Sequence, residues 1–224
     1  MTPQPLRLVI YDCDGVLIDS EATASCVCAE ALAELGWAMT PAQSMARFVG
    51  YSLTSMVPVI EAHIGRPVPP GWVTGLCERL VETLANEAVT IPGATDALRA
   101  TLALGLPFRV ASNSSHAEMA VKFGRTGLDG LVAGRLHSAG DVPAGKPAPD
   151  VFLAAAEAEG VPPGACIVVE DSLPGVHGAV AAGMAVIGLD PHGDGAALRA
   201  AGAHPVRSLA ELPALFRMAM RLAA

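Results

Sequence analysis

Short apolar runs rich in β-branched residues recur along this chain, and segments of a different periodicity separate them. Those segments carry apolar residues at helical spacing, and several of them end at a glycine. Strands that alternate with helices form a parallel sheet covered by helices on both faces, so the pattern predicts a Rossmann-like α/β core. The predicted strands are residues 6–11, 108–111, 166–169 and 185–189, with weaker ones at 131–133 and 205–206.

One interval breaks this alternation. From about Ser20 to Val89 the sequence shows helical patterns separated by proline and glycine, and no convincing strand. We therefore predict a helical cap domain at residues 18–89, inserted into a core domain made of residues 1–17 and 90–224. The predicted cap helices cover residues 21–35, 41–49, 53–64 and 73–86.

Composition and charge exclude several classes of protein. Hydrophobic residues make up 52% of the 224 residues, which is enough for a sizeable core. The net charge is -8 and no basic run occurs, so we expect no nucleic-acid partner. The absence of a secretory leader and of long apolar stretches predicts a cytoplasmic protein with no membrane partner, and we expect a monomer. Five cysteines without a CxxC pair indicate reduced thiols.

Polar side chains follow three of the predicted strands. Asp12 and Asp14 end the first, residues 112–115 (SNSS) end the second, and residues 170–171 (ED) end another. Lys146 lies between the last two sets, just before Pro147. Each set alone has an ordinary explanation: a tight turn, a helix cap or a solvated lysine. Because ligands of open α/β sheets bind at the carboxyl ends of the strands, we expect these groups to form one site.

The chemistry of this set favours a metal ion and a phosphate. Carboxylate oxygens suit Mg²⁺, and serine hydroxyls with amides at a helix N-terminus suit a phosphoryl group. One carboxylate can attack phosphorus while a second protonates the leaving oxygen. Asp12 and Asp14 fit these two requirements, and a lysine with Mg²⁺ offsets the repulsion between anions.

Four motifs then carry a resemblance that covers nearly the whole chain. In order they are DCDGVLIDSE, VASNSS, GKPAPDVF and VVEDSLPGV. Together they resemble the motifs of the haloacid dehalogenase superfamily. The position of the helical insertion resembles the cap of the branch that includes β-phosphoglucomutase and many sugar-phosphate phosphatases.

The resemblance implies roles for the first motif. Asp12 is implied to be the nucleophile and a ligand of Mg²⁺. Asp14 is implied to be the general acid and base, with its backbone carbonyl on the metal ion. Cys13 between them is expected to serve through its backbone amide, at the phosphate, and not through its thiol.

The same resemblance implies roles for the other motifs. Ser112 and the amide of Asn113 are implied to hold the phosphoryl group. Lys146 is implied to bridge the nucleophile and the phosphate. Asp171 is implied to ligate Mg²⁺, with Glu170 close to the ion either directly or through water.

Phosphatases and mutases of this branch share the four motifs, so only residues of the cap can distinguish the two functions. The mutase-like pattern places an arginine about three residues after Gly50, where this chain has Leu53. Arg47 is the cap residue expected to contact an anionic substrate, although a solvated surface role is equally open. We predict a phosphatase acting on a small phosphorylated metabolite, a sugar phosphate or related monoester. A β-phosphoglucomutase-type enzyme and a non-catalytic phosphometabolite-binding protein are the alternatives.

Overall fold

A parallel sheet with helices on both faces forms the centre of the protein. The computed structural model describes residues 4–221. The large sheet joins six of the strands in the order β5-β4-β1-β6-β7-β8, and β2 pairs with β3. The strands of the described part are β1 (Leu8–Tyr11), β2 (Ile18–Asp19), β3 (Val89–Thr90), β4 (Phe108–Ser112), β5 (Leu136–Ser138), β6 (Cys166–Glu170), β7 (Ala185–Leu189) and β8 (His204–Val206).

The helices fall into two groups along the chain. The first four lie between β2 and β3, α5 lies between β3 and β4, and the others follow strands of the large sheet. The helices of the described part are α1 (Glu21–Glu34), α2 (Pro41–Phe48), α3 (Leu53–Ile64), α4 (Trp72–Glu87), α5 (Ala94–Ala103), α6 (His116–Thr126), α7 (Asp129–Val132), α8 (Asp150–Ala158), α9 (Leu173–Ala181), α10 (Ala196–Ala200) and α11 (Leu212–Arg221).

Strand β1 is the centre of the sheet and is buried on both faces. It pairs in parallel with β4 on one side and with β6 on the other. Val9 and Tyr11 pack into the hydrophobic cluster on one face, while Leu8 and Ile10 pack into the cluster on the other. A strand buried on both faces has a continuous apolar sequence, which is why β1 could be predicted from the sequence. The predicted parallel α/β fold is confirmed.

The prediction of a strand at residues 131–133 is wrong. Residues 129–132 form the one-turn helix α7, and Val132 is buried in the core. The edge strand is β5, which pairs with β4 a few residues later. Only one of the three β5 residues is strongly apolar, so its composition carries no strand signal, whereas the apolar run before it fills the core as a helical turn.

The helices α1–α4 share a hydrophobic cluster of their own. Leu32, Ile60, Leu76, Leu80 and Leu84 are among its most buried members. The chain enters and leaves this group through the antiparallel pair β2–β3, which is two residues long and therefore too short for any periodicity to show. The domain boundaries at 18 and 89 stay a prediction, and this ribbon lies at both of them.

Local capping explains where two of these helices begin. The Thr40 hydroxyl accepts the backbone N–H of Gln43, whose side chain accepts the Thr40 N–H in return. Ser52 accepts the N–H of Ser55 at the start of α3.

Within residues 4–221, no helix is both long enough and apolar enough to cross a lipid bilayer.

Candidate active site

Lys146 lies between two carboxylates at the carboxyl ends of β1 and β6, those of Asp12 and Glu170. The Nζ of Lys146 lies 2.5 Å from Oδ1 of Asp12 and 2.7 Å from Oε1 of Glu170. Burial alone would favour the neutral amine, but the charges of these two carboxylates hold the pKa of Lys146 above its ordinary value. Lys146 is thus a fixed positive charge beside Asp12.

Glu170 uses both of its oxygens within the protein. While Oε1 accepts from Lys146, Oε2 accepts the backbone N–H groups of Asp171 and Ser172 and the Ser172 hydroxyl, each at 2.9 Å. Gly175 makes room for this carboxylate, because a Cβ at that position would lie 1.7 Å from Oε1. Glu170 is therefore held rigidly, in a position that orients Lys146.

Asp12, Glu170 and Asp171 also form the one cluster in the described residues with the spacing of a metal site. One carboxylate oxygen from each lies within 4.8 Å of the others. Oδ1 of Asp171 is buried and has no hydrogen-bond partner among the residues described. Burial raises the pKa of Asp171, and the charges of Glu170 and Asp12 raise it further. An unpartnered buried carboxylate oxygen beside two others fits a hard divalent cation such as Mg²⁺.

Asp14 faces a different set of groups from Asp12. Its Oδ1 lies 2.6 Å from Nζ of Lys122 and also accepts from the hydroxyl of Ser20. Its Oδ2 accepts from the hydroxyls of Ser114 at 2.8 Å and Ser112 at 3.3 Å. Burial by itself would raise the pKa of Asp14, but the charge and hydrogen bond of Lys122 hold this pKa below its ordinary value.

Asn113 joins three segments through its side-chain amide. Its Nδ2 donates to the backbone oxygens of Gly50 at 2.7 Å and Lys146 at 3.2 Å. Its Oδ1 accepts the Lys146 N–H at 2.9 Å. The amide group thus fixes the backbone at Lys146 and ties it to the loop that follows α2.

The family is decided by a comparison with family models. The model of the haloacid dehalogenase-like hydrolases matches residues 6–183, which includes every strand-end residue described above. The chain belongs to the haloacid dehalogenase-like hydrolases. The resemblance inferred from the four motifs is confirmed, and so is the expectation of an enzyme.

Relatives of this haloacid dehalogenase-like chain include both phosphatases and mutases. It is 30% identical to the 6-phosphogluconate phosphatase of Escherichia coli, over 84% of this chain and 85% of that protein. It is 33% identical to the β-phosphoglucomutase of Mycobacterium tuberculosis, over 83% of this chain and 81% of that one. Among solved structures, a HAD family hydrolase of Deinococcus radiodurans with bound phosphate and sodium matches with a TM-score of 0.72 and 31% identity, covering 96% of each chain.

Lys122 is the residue of this haloacid dehalogenase-like site that the sequence interpretation missed. It lies on α6 with its side chain 3% exposed, and its Nζ also donates to the Ser114 hydroxyl. A signal was present in the helix: Glu118 and Lys122 are four residues apart, on the same face as the buried Met119 and Phe123. Charged residues within an apolar helical stripe indicate buried partners.

Two further predicted substrate contacts are Arg47 and the backbone of Cys13. The guanidinium of Arg47 lies over the Trp37 ring, 5.3 Å from its centroid, and Arg47 does not line the cavity beside Asp12. The structure thus does not bring Arg47 to the site, because the aromatic rings of the helical group hold it. The Cys13 side chain is buried in the core, which leaves its backbone as the predicted contact.

A cavity that is partly open to solvent lies between the strand ends and the helices α1–α4. Its floor contains Asp12, Asp14, Ser112, Lys146 and Asp171. Apolar side chains from the helices and converging polar groups from the strand ends line it together, so the cavity of this haloacid dehalogenase-like hydrolase is the candidate active site.

Proposed function

We propose that this protein is a Mg²⁺-dependent phosphatase that hydrolyses a small phosphorylated metabolite, a sugar phosphate or related monoester, through an aspartyl phosphate. The observation that carries the proposal is the position of Lys146, 2.5 Å from Asp12 at the floor of the cavity. Relatives named as phosphatases and a relative structure with bound phosphate support it.

The first step joins the phosphoryl group to Asp12. The Asp12 carboxylate attacks phosphorus, and the bond from phosphorus to the leaving oxygen breaks as the new bond forms. Lys146 offsets the repulsion between the carboxylate and the phosphoryl oxygens. Asp14 gives its proton to the leaving oxygen, and the alcohol departs neutral. The Ser112 hydroxyl and the backbone N–H of Asn113 hold the phosphoryl group in this geometry.

The second step returns Asp12 to its starting state. Asp14, now ionised, takes a proton from a water molecule as that water attacks phosphorus. The bond between phosphorus and Asp12 breaks, and inorganic phosphate leaves. Lys122 and the Ser114 hydroxyl support the ionised form of Asp14, which is the form required in this step. In the first step, the negative phosphoryl group beside Asp14 favours its protonated form.

A divalent cation completes the charge balance of the site. The carboxylates of Asp12 and Asp171 and the backbone carbonyl of Asp14 would hold it, with Glu170 close by. When bound, Mg²⁺ neutralises charge on the phosphoryl oxygens. Once metal binding has displaced the protons of Asp12 and Asp171, four carboxylates face two ammonium groups at the floor, and the two remaining negative charges match the charge of this ion.

A phosphatase is favoured over a mutase by the upper wall of the cavity. A phosphosugar mutase has to bind a second phosphate there, which calls for a cation. At the position where the mutase-like pattern has an arginine, this chain has Leu53, and Leu53 lines the cavity. The sequence identities to the mutase and to the phosphatase are similar, so identity does not separate the two functions. The charge of the cavity wall does.

The decisive experiment measures phosphate release from a panel of phosphate monoesters, with Mg²⁺ and with excess chelator. We expect release that requires Mg²⁺ and that falls about 10⁴-fold or more in Asp12→Asn. Full activity in that variant or in chelator would contradict the proposal. Rapid conversion of β-glucose 1-phosphate to glucose 6-phosphate, primed by the bisphosphate, would favour the mutase. Mg²⁺ binding without turnover of any ester would favour a binding protein.

The cytoplasmic location and the monomeric state stay predictions.

A further inference from the structure

The wall of the cavity opposite Asp12 differs in chemistry from its floor. The floor carries the charged groups described above. The wall is built by α1–α4 and by the loop after α2, and its side chains are mostly aliphatic, aromatic or sulfur-containing. Those that matter here are Cys28, Phe48, Leu53, Met56, Leu80 and Leu84.

No cation is available to a second anionic group in this cavity. Within residues 4–221, the ammonium groups that line it belong to Lys122 and Lys146, and each is paired with carboxylates at the floor. The further charged groups in the lining are Glu21 and Glu118, which would repel an anion. Burying an unpaired charge against an apolar wall is strongly unfavourable. A leaving group that carries its own phosphate or carboxylate is therefore disfavoured.

One polar atom beside the wall has no hydrogen-bond partner within residues 4–221. Ser44 lies on α2, lines the cavity and is 1% exposed. Its hydroxyl has no hydrogen-bond partner among the residues that the structure describes. A buried hydroxyl without a partner is costly, and such groups in native structures call for an explanation. Because Ser44 borders the cavity, a rotation about its Cα–Cβ bond would turn this hydroxyl toward a ligand there and satisfy it.

We propose that the wall formed by α1–α4 binds the leaving alcohol of the substrate, and that this alcohol is uncharged, has an apolar face and offers a hydrogen-bonding group to Ser44. This inference rests on the proposed phosphatase function. The substrate class is then a monophosphate whose only anionic group is the phosphoryl group transferred to Asp12. Sugar bisphosphates and phosphorylated sugar acids lie outside that class.

Four aryl phosphates test the proposal, because they share one apolar ring and differ in a single substituent. They are phenyl phosphate, its para- and meta-hydroxymethyl derivatives, and its para-carboxyl derivative. For the wild-type protein we expect kcat/KM to be about tenfold or more higher for phenyl phosphate than for the carboxyl derivative. Equal or faster turnover of the carboxyl derivative would overturn the inference while leaving the phosphatase function intact. No turnover of any ester, natural or aryl, would instead remove the proposed function.

A variant that adds a positive charge to the cavity wall gives the converse test. Leu53→Arg places a cation on the cavity wall, and Leu53 is partly exposed, so the substitution is tolerable. We expect it to raise kcat/KM for the carboxyl derivative about tenfold relative to phenyl phosphate. The control is Thr54→Arg, which adds the same charge at an exposed neighbour that does not line the cavity, and we expect no change in the ratio. If Leu53→Arg fails to fold, the wild-type comparison still decides.

Ser44→Ala tests the hydrogen bond. We expect kcat/KM to fall about tenfold for at least one hydroxymethyl derivative and to stay unchanged for phenyl phosphate. Because the variant removes an unpartnered buried hydroxyl, we also expect the melting temperature of the free protein to stay equal or rise. A lower melting temperature, or an equal loss on all esters, would contradict the role of Ser44.

Discussion

The ammonium group of Lys122 lies 2.6 Å from Oδ1 of Asp14, although the two residues are 108 positions apart in the chain. The contact links α6 to the turn after β1. It separates the surroundings of Asp14 from those of Asp12, which pairs with Lys146. Two carboxylates that are two positions apart thus each have their own lysine, and this lets them take different roles.

Lys122→Met should lower kcat about 10- to 100-fold with little change in KM, because Asp14 loses the group that positions it for proton transfer. Stability should fall by about 3 kcal/mol, the low end for a buried pair, since 26% of the Asp14 side chain is exposed. Denaturant unfolding and steady-state kinetics measure the two effects.

The double variant Lys122→Met/Asp14→Asn is the control for that substitution. It removes the unpaired charge, so we expect it to be more stable than Lys122→Met alone and no more active. A double variant as unstable as the single one would show that packing, and not charge, accounts for the loss.

Metal binding should depend on pH in a direction set by Asp12 and Asp171, the two proposed ligands whose pKa values burial raises. Burial is the main reason that the pKa of Asp12 rises from 3.8 to about 8, against the opposing charge of Lys146. Between these values the folded, metal-free protein holds a proton that the unfolded chain has released, so its stability falls as pH rises from about 4 to about 8. The metal ion has to displace that proton.

We therefore expect Mg²⁺ to raise the melting temperature more at about pH 8.5 than at about pH 6.5. Thermal unfolding with Mg²⁺ and with chelator, at both pH values, checks this. Asp12→Asn is the control, in which the difference between the two pH values should shrink. A larger Mg²⁺ effect at the lower pH would refute the assignment of Asp12 as the proton-linked ligand.

Gly175→Ala should disturb the site through Glu170. The added Cβ would lie 1.7 Å from Oε1 of Glu170, so the carboxylate that orients Lys146 has to move. A displacement of about 1 Å near reacting groups can cost about 100-fold in rate, and we expect a fall in kcat/KM of that order.

Gly124→Ala is the matched control for that change. Gly124 lies in α6, and its Cβ would meet no heavy atom within 4 Å. We expect unchanged kinetics and a gain of about 0.5 to 1 kcal/mol in stability, as is usual for glycine to alanine in a helix. Equal effects of the two substitutions would mean that the contact with Glu170 is unimportant.

Asn113→Ala should loosen the loop after α2. The variant loses the hydrogen bond from Nδ2 to the Gly50 carbonyl and the support of the Lys146 backbone. We expect about tenfold lower kcat/KM and faster proteolysis near Gly50, measured by limited digestion. Asn86→Ala is the control, because it removes an exposed side-chain amide whose hydrogen bond lies within its own helix. It should change neither kcat/KM nor the rate of proteolysis.

The strands and the floor of the site could be read from the sequence because their signals are local. A strand buried on both faces is a continuous apolar run, and the residues after such strands must meet at one edge of a parallel sheet. Asp12, Lys146 and Asp171 were placed together on this reasoning. The edge strand β5 was missed because a short, half-polar edge strand has no such signal.

The sequence by itself determined the fold class, the family and the charged groups that end the strands, because periodicity and motif spacing depend on neighbours in the chain. Tertiary structure alone decided which lysine faces which aspartate. It also placed Arg47 over Trp37 and away from the site, and left the Ser44 hydroxyl unpartnered beside an apolar wall. These features depend on how helices pack on one another and on the sheet, and side chains far apart in sequence meet only when that packing is complete.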